Sequence, residues 1–128
     1  MITFLDKTTL LYFHNDQIKR YGGAFGIRDE GLLESALAQL EATFDGEYIH
    51  EDLFHMAAAY GFHLCNNHPF IDGNKRISLI AMYLFLFRNG YKIIAQEKVL
   101  YALIMDLASG KVTKDELTDF LRNFSQPV

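Results

Sequence analysis

Apolar positions recur along most of the chain at intervals of three and four, the spacing that lines one face of an α-helix. The pattern predicts a first helix capped by Asp6 or Thr8, with Leu10, Leu11, His14 and Ile18 along one side and Tyr21-Gly22-Gly23 as its stop. After a loop over 24–28, Asp29 is placed to cap a second helix. Its Leu32, Leu33, Ala36, Leu37 and Leu40 form the cleanest amphipathic stripe in the sequence. Residues 43–50 break the period: Asp45-Gly46 is a turn signal, and Phe44, Tyr48 and Ile49 would flank a short hairpin or an extended flap. Glu51 and Asp52 then place acidic residues in the first turn of a third helix reaching about Leu64. Leu53, Phe54, Ala57, Ala58, Gly61 and Leu64 make its inner face, and a polar turn, Cys65-Asn66-Asn67, follows.

The most apolar stretch, Ile77 to Phe87, belongs to a fourth helix running from about Asn74 to a stop at Arg88-Asn89-Gly90. Being apolar nearly all round, it is expected to have neighbours on every side. A short extended link, Tyr91 to Ala95, leads to a fifth helix from Gln96 to Ala108 through Val99, Leu100, Leu103, Ile104 and Leu107, ended by Ser109-Gly110. Thr113 and Glu116 read as a capping box that opens a sixth helix with Leu117, Phe120, Leu121 and Phe124 inside. The expected fold is all-α, a single domain over residues 1–128: a compact bundle of about six helices around the buried fourth one.

Composition narrows the class. Half of the 128 residues are apolar, with eleven Phe and seven Tyr, enough for a packed core and against disorder. A net charge of −4, from twelve basic and sixteen acidic side chains, lacks the basic excess of a nucleic-acid surface, so no direct nucleic-acid partner is expected. The single cysteine, Cys65, rules out a disulfide framework and fits a reducing compartment. The N-terminus has no cationic stretch followed by a long apolar run, and Ile77–Phe87 is too short to span a bilayer. A cytoplasmic protein without a membrane partner is the expectation.

The chemistry concentrates in nine residues where a loop enters the fourth helix: His68-Pro69-Phe70-Ile71-Asp72-Gly73-Asn74-Lys75-Arg76. A helix start offers unpaired backbone N–H groups and a positive dipole end, and so favours phosphate. His68 is either a structural turn histidine or a general base, since imidazole exchanges protons near neutral pH. Asp72 is either the helix N-cap or a ligand for Mg²⁺, which takes few protein ligands and completes its shell with phosphate and water. Gly73 allows close backbone approach to a ligand, and Asn74 can cap the helix or orient a phosphate. Pro69 would stiffen the loop and Phe70 anchor it. Lys75 and Arg76 would often be solvated charges, but two cations at a helix start oppose the dipole by roughly a few tenths of a kcal/mol, and a bound polyphosphate gives a reason for them. The Gly22-Gly23-Ala24-Phe25-Gly26 run is not a P-loop, because no lysine and Ser/Thr follow it. A zinc site drawn from His50, His55, His63 and His68 has no supporting spacing, and Cys65, near a helix end among apolar neighbours, is a weak nucleophile.

These nine residues resemble the Fic motif, H-P-F-x-[DE]-G-N-G-R, of the Fic/Doc (Fido) superfamily. Tyr21-Gly22-Gly23, the run Ile27 to Leu37, Asp52-Leu53-Phe54, Ala57 to Leu64 and Phe85 to Gly90 are similar to its death-on-curing (Doc) branch. The resemblance implies that His68 deprotonates a target hydroxyl, that Asp72 binds Mg²⁺, that Gly73 and Asn74 cradle phosphate with backbone N–H groups, and that Arg76 contacts phosphate oxygens. Fic enzymes transfer AMP from ATP to hydroxyl side chains. This chain departs from that pattern: Lys75 stands at the motif's second glycine, and Leu79 at the second arginine of the longer Fic pattern. The Doc branch carries the same lysine, associated with an inverted nucleotide and transfer of the γ-phosphoryl group. The resemblance therefore implies an ATP- and Mg²⁺-dependent kinase toxin acting on a Ser/Thr hydroxyl of elongation factor Tu and arresting translation. Adenylyl transfer by the same motif, or a catalytically silent binding module, are the competing readings. No [ST]-x-x-x-E-[GN] inhibitory helix occurs, Tyr48 following Thr43-x-x-x-Glu47, which implies an inhibitor in trans: a Phd-type antitoxin whose tail folds along the toxin. The 43–50 segment lies where the Fic flap docks its target.

Overall fold

Six helices form where the apolar spacing places them in the computed structural model, which describes residues 1–41, 46, 47 and 52–128 in full and 43, 44 and 48 by their backbone. Helix α1 (Lys7–Tyr21) starts at Asp6, whose carboxylate accepts from the Thr9 N–H at 2.7 Å, and α2 (Glu30–Ala38) starts at Asp29 in the same way. A 3-10 turn, Gln39–Glu41, then buries Leu40. Next come β1 (Thr43–Phe44) and β2 (Glu47–Tyr48), paired antiparallel, so the backbone makes the short hairpin that the turn signal suggested. Asp45, Ile49, His50 and Glu51, and the side chains of Phe44 and Tyr48, lie outside the described residues. Helices α3 (Leu53–Asn67), α4 (Asn74–Arg88), α5 (Glu97–Ala108) and α6 (Lys114–Asn123) complete the set, with the Thr113–Glu116 capping box formed in both directions at 3.0 and 3.1 Å.

Several boundaries differ from expectation. Asp52 is the N-cap of α3 and not a first-turn residue. The helix continues through Asn67, so Cys65-Asn66-Asn67 is its last turn and not a separate polar loop. Cys65 follows Gly61 by four residues and shares its buried face, which packing holds in register against the pull of two asparagines. The link after α4 is a strand, β3 (Tyr91–Ile93), paired antiparallel with a C-terminal strand β4 (Ser125–Pro127). Three residues containing a proline carry no strand signal, and a proline is tolerated only because β4 is an edge. Phe124, expected inside, ends α6 and lies exposed, stacked on Phe120 with ring centroids 4.5 Å apart.

The centre of the bundle is the α3–α4 pair. Ala57, Ala58, Gly61 and Leu64 of α3 meet Ile77, Ala81, Met82 and Phe85 of α4, all of them buried. The small residues let the helices close up, and Ser78 locks the crossing by donating to the Gly61 carbonyl at 2.7 Å. Helix α6 also packs on α3, with Leu117 and Leu121 buried. Helix α4 is not enclosed on every side: Tyr83 and Phe87 are exposed, and Leu79, Ile80 and Leu84 are half-buried. Among the described residues α1, α5 and β3 are the main neighbours of α4 besides α3, and they leave that outer strip partly open. Among the described residues no helix is long and apolar enough to cross a membrane.

Candidate active site

The chain leaves α3 at His68, which takes a left-handed conformation, φ 48°, ψ 56°, the one positive φ outside glycine among the described residues. That conformation costs an ordinary side chain about 1–2 kcal/mol, so neighbours must impose it. Arg28 does so. Its Nε donates to the His68 carbonyl at 2.6 Å and its Nη2 to the Asn67 carbonyl at 2.8 Å, satisfying acceptors that the helix end leaves open. The backbone N–H groups of Arg28 and Asp29 both donate to the Pro69 carbonyl, Ile27 bridges Phe70, and the Ile71 N–H donates to the Gly26 carbonyl.

Phe70 is buried, the apolar anchor that its position suggested, and it stacks on His14 with ring centroids 3.8 Å apart. His14, also buried, donates from Nε2 to the Asp72 carbonyl at 2.7 Å, because a carbonyl can only accept. Asn74 uses its side-chain amide in both directions on Phe70, accepting from its N–H and donating to its carbonyl, each at 3.0 Å. The amide therefore holds the loop, and the backbone N–H of Asn74 is left for a ligand.

Asp72 is not the N-cap of α4. That position belongs to Gly73 (φ 76°, ψ 18°), and no side chain caps the helix. A Cβ on Gly73 would stand 3.2 Å from Ile18 Cδ1 and 3.5 Å from both Arg76 Nη2 and His14 Nε2, so the glycine serves backbone shape and close packing together. The Asp72 carboxylate makes no cap bond to the helix and accepts from the Ala24 N–H at 3.2 Å. Arg76 donates to the carbonyls of Gln17 and Gly22, at 3.2 and 3.0 Å, which sets its guanidinium beside Asp72. Lys75 is exposed in the first turn and has no ion-pair partner among the described residues. The outcome is an uncapped helix N-terminus, two cations in its first turn, and an exposed imidazole and carboxylate at its edge.

The resemblance in sequence extends to comparison with known proteins. The model of the Fic/DOC family matches residues 4–86, well over half of the chain. The chain belongs to the Fic/Doc family. Among its relatives, "Protein kinase doc" of Escherichia phage P1 is 34% identical over 113 residues, covering 88% of each chain. "Toxin Doc" of Mycolicibacterium smegmatis is 38% identical over 95 residues, covering 74% of this chain and 72% of that one.

His68, Asp72, Gly73, Asn74, Lys75 and Arg76 lie together around the junction of α3 and α4. The other cysteine and histidine readings gain nothing: burial pushes the Cys65 thiol up, only partly countered by the nearby Lys75 charge, and His55 pairs with Asp52 at 2.9 Å. Among the described residues no group of three or more His, Cys, Asp or Glu is placed to hold a metal, and His50 lies outside them. Two residues of the site carry no site signal in the sequence. His14 reads there only as a helix-face position, and its one clue is a histidine on an otherwise apolar stripe. Arg28 reads only as part of the family-like run, and nothing local to it tells that it reaches forty residues ahead.

Proposed function

We propose that this chain is a Doc-type toxin: a protein kinase that transfers the γ-phosphoryl group of ATP to a Ser or Thr hydroxyl of a translation factor, elongation factor Tu being the first candidate. The observation that carries this reading is the uncapped N-terminus of α4, edged by His68 and Asp72 and loaded with Lys75 and Arg76. Arg76 has structural partners in the Gln17 and Gly22 carbonyls, but among the described residues no side chain caps the helix start and no carboxylate pairs with Lys75; a polyphosphate would answer both. The 34% identity to a protein kinase supports the phosphoryl as the group moved.

In this reading the backbone N–H groups of Gly73 and Asn74 and the guanidinium of Arg76 hold the γ-phosphoryl. The target hydroxyl oxygen attacks the γ-phosphorus as its proton passes to His68, and the bond to the bridging oxygen breaks to leave ADP. Positioning and charge neutralisation supply most of the barrier reduction in such transfers. Lys75 sits where a nucleotide's further phosphates would crowd, and it selects which end of ATP enters. Asp72 fits a Mg²⁺ role: one N–H bond leaves most of a carboxylate's lone pairs for a cation, which when bound would neutralise phosphate charge.

The partner reading follows from the outer strip of α4. Leu79, Ile80, Tyr83 and Leu84 with Phe13 and Leu100 line an open cleft of about 500 Å³, an apolar seat suited to an amphipathic helix of a Phd-type antitoxin. A Tyr83→Lys change should weaken inhibition and leave transfer intact; unchanged inhibition would remove this face from the reading.

The deciding experiment incubates the protein with elongation factor Tu and ATP labelled separately at the α and γ positions. Label from the γ position on the target is the expected result. Label from the α position would assign adenylyl transfer instead. His68→Ala should abolish both transfer and growth arrest; arrest that survives the change would identify a silent binding module.

A further inference from the structure

One side chain and its own backbone grip three consecutive carbonyls at the point where the catalytic loop begins. Arg28 reaches Asn67 and His68 with its guanidinium, at 2.8 and 2.6 Å, and Pro69 with its backbone N–H, at 2.7 Å. The middle residue of the three is His68, held left-handed without being a glycine. We infer that Arg28 is a positioning residue for transfer, setting the direction of the His68 imidazole by fixing the backbone from which it projects. The inference rests on the reading of His68 as the base.

A base must stand within hydrogen-bond reach of the hydroxyl it deprotonates, and an error of about 1 Å in such placement costs about 100-fold in rate. No rotamer choice can restore that direction if the backbone of His68 relaxes out of the left-handed basin, because the Cα–Cβ vector itself swings. Arg28 is also exposed and packs no core. Removing its side chain opens no cavity, so its loss falls on the loop and not on the bundle. A charged, forked donor suits this position, where two parallel N–H groups meet two carbonyls whose dipoles, at a helix C-terminus, favour a cation. Lysine offers its donors around a single point and lacks the fixed parallel pair.

The test uses the full chain with Arg28→Ala and Arg28→Lys, each checked by thermal unfolding against wild type. The expected result is a kcat lower by about 10- to 100-fold for Arg28→Ala with KM for ATP changed by less than about threefold. Arg28→Lys should fall between the two. Added guanidinium ion at millimolar concentration should restore part of the lost rate in Arg28→Ala and none in His68→Ala. A kcat unchanged in Arg28→Ala, or a loss that tracks only the unfolded fraction, or an absence of rescue, would overturn the assignment. A second arm does not depend on the reaction: with histidine labelled by ¹³C and ¹⁵N, the His68 Cα shift should leave its left-handed value in Arg28→Ala. An unmoved shift overturns the inference even when transfer is observed. If wild type transfers neither label, the functional reading fails, and this spectroscopic arm still decides whether Arg28 sets His68.

Discussion

Gly61 of α3 lies against Met82 of α4 so closely that an added Cβ would stand 2.3 Å from Sδ, 2.7 Å from Cγ and 2.9 Å from Cε. All three distances are below contact, and Met82 is fully buried with no open side to swing into. Gly61→Ala should therefore cost about 1–3 kcal/mol of overpacking, offset by about 1 kcal/mol for replacing a mid-helix glycine, a net loss of about 0–2 kcal/mol. Met82→Ala alone should cost about 2–5 kcal/mol through the cavity it opens. The three atoms that it deletes are the ones the new Cβ meets. In the double variant the clash vanishes and the methyl added at position 61 fills part of the hole, so the two losses should fall short of their sum by about 1 kcal/mol or more. Gly61→Leu in the Met82→Ala background, which moves the volume from one helix to the other, should regain still more. Urea unfolding of the wild type, both single variants and the doubles reads the cycle directly. Losses that add within about 0.5 kcal/mol would refute the reasoning, since they would mean that α3 and α4 separate and accept the methyl without involving Met82.

Three further outcomes are expected. Burial pushes the Tyr60 hydroxyl up to about 12, against the N–H bond that Leu5 donates to it at 3.1 Å. A raised folded value means that its contribution is whole below pH ~10 and is lost as pH climbs toward 12, on the order of 2–3 kcal/mol. Alkaline unfolding of Tyr60→Phe should lack that decline, and an identical decline would show that another group causes it. Burial alone would raise the Asp52 carboxyl, but the His55 N–H, the Arg122 guanidinium and the His55 ring outweigh it and hold it at about 2. Its contribution is present above pH ~4 and fades as pH falls toward 2; with the side chain 42% exposed it is screened to under about 1 kcal/mol. Asp52→Asn, which keeps the cap, should lose that increment at pH 7 and match wild type in acid; a gap that persists in acid would point to capping geometry instead of charge. Thr113→Ala should cost about 1 kcal/mol and Thr113→Ser almost nothing, with faster amide exchange confined to the first turn of α6; protection left unchanged there would show that packing, not the capping box, holds that turn.

The helices were legible because their signals are local. Asp6, Asp29 and Thr113 cap as their positions suggest, and the i, i+3, i+4 stripes mark the buried faces. What failed to show was settled by partners distant in sequence. The last turn of α3 is polar at Asn66 and Asn67, yet it stays helical because Cys65 is packed in the core and Arg28 takes the final carbonyls. Strand β4 exists because β3 offers an edge, and no pattern in three residues announces it. Helix α4 reads as enveloped because periodicity counts apolar positions without telling how many neighbours arrive to cover them; Tyr83 and Phe87 stay exposed.

The same division runs through the candidate site. The groups suited to chemistry lie within nine consecutive residues, so their types and spacing are visible in the sequence alone. The groups that aim them do not: Arg28 acts on His68 across 40 positions, Ala24 on Asp72 across 48, and His14 on Asp72 across 58. All three come from α1 and the glycine-rich loop after it, which lies within the span that the family model matches. A motif placed at the head of a buried helix, without that loop, would keep its charges and lose its geometry. Preorganised donors and bases act through geometry that is set before the substrate arrives. The segment from Tyr21 to Asp29 is thus as much a part of the site as the nine residues it holds, and changes there should fall on rate while changes at Gly61 or Met82 fall on stability.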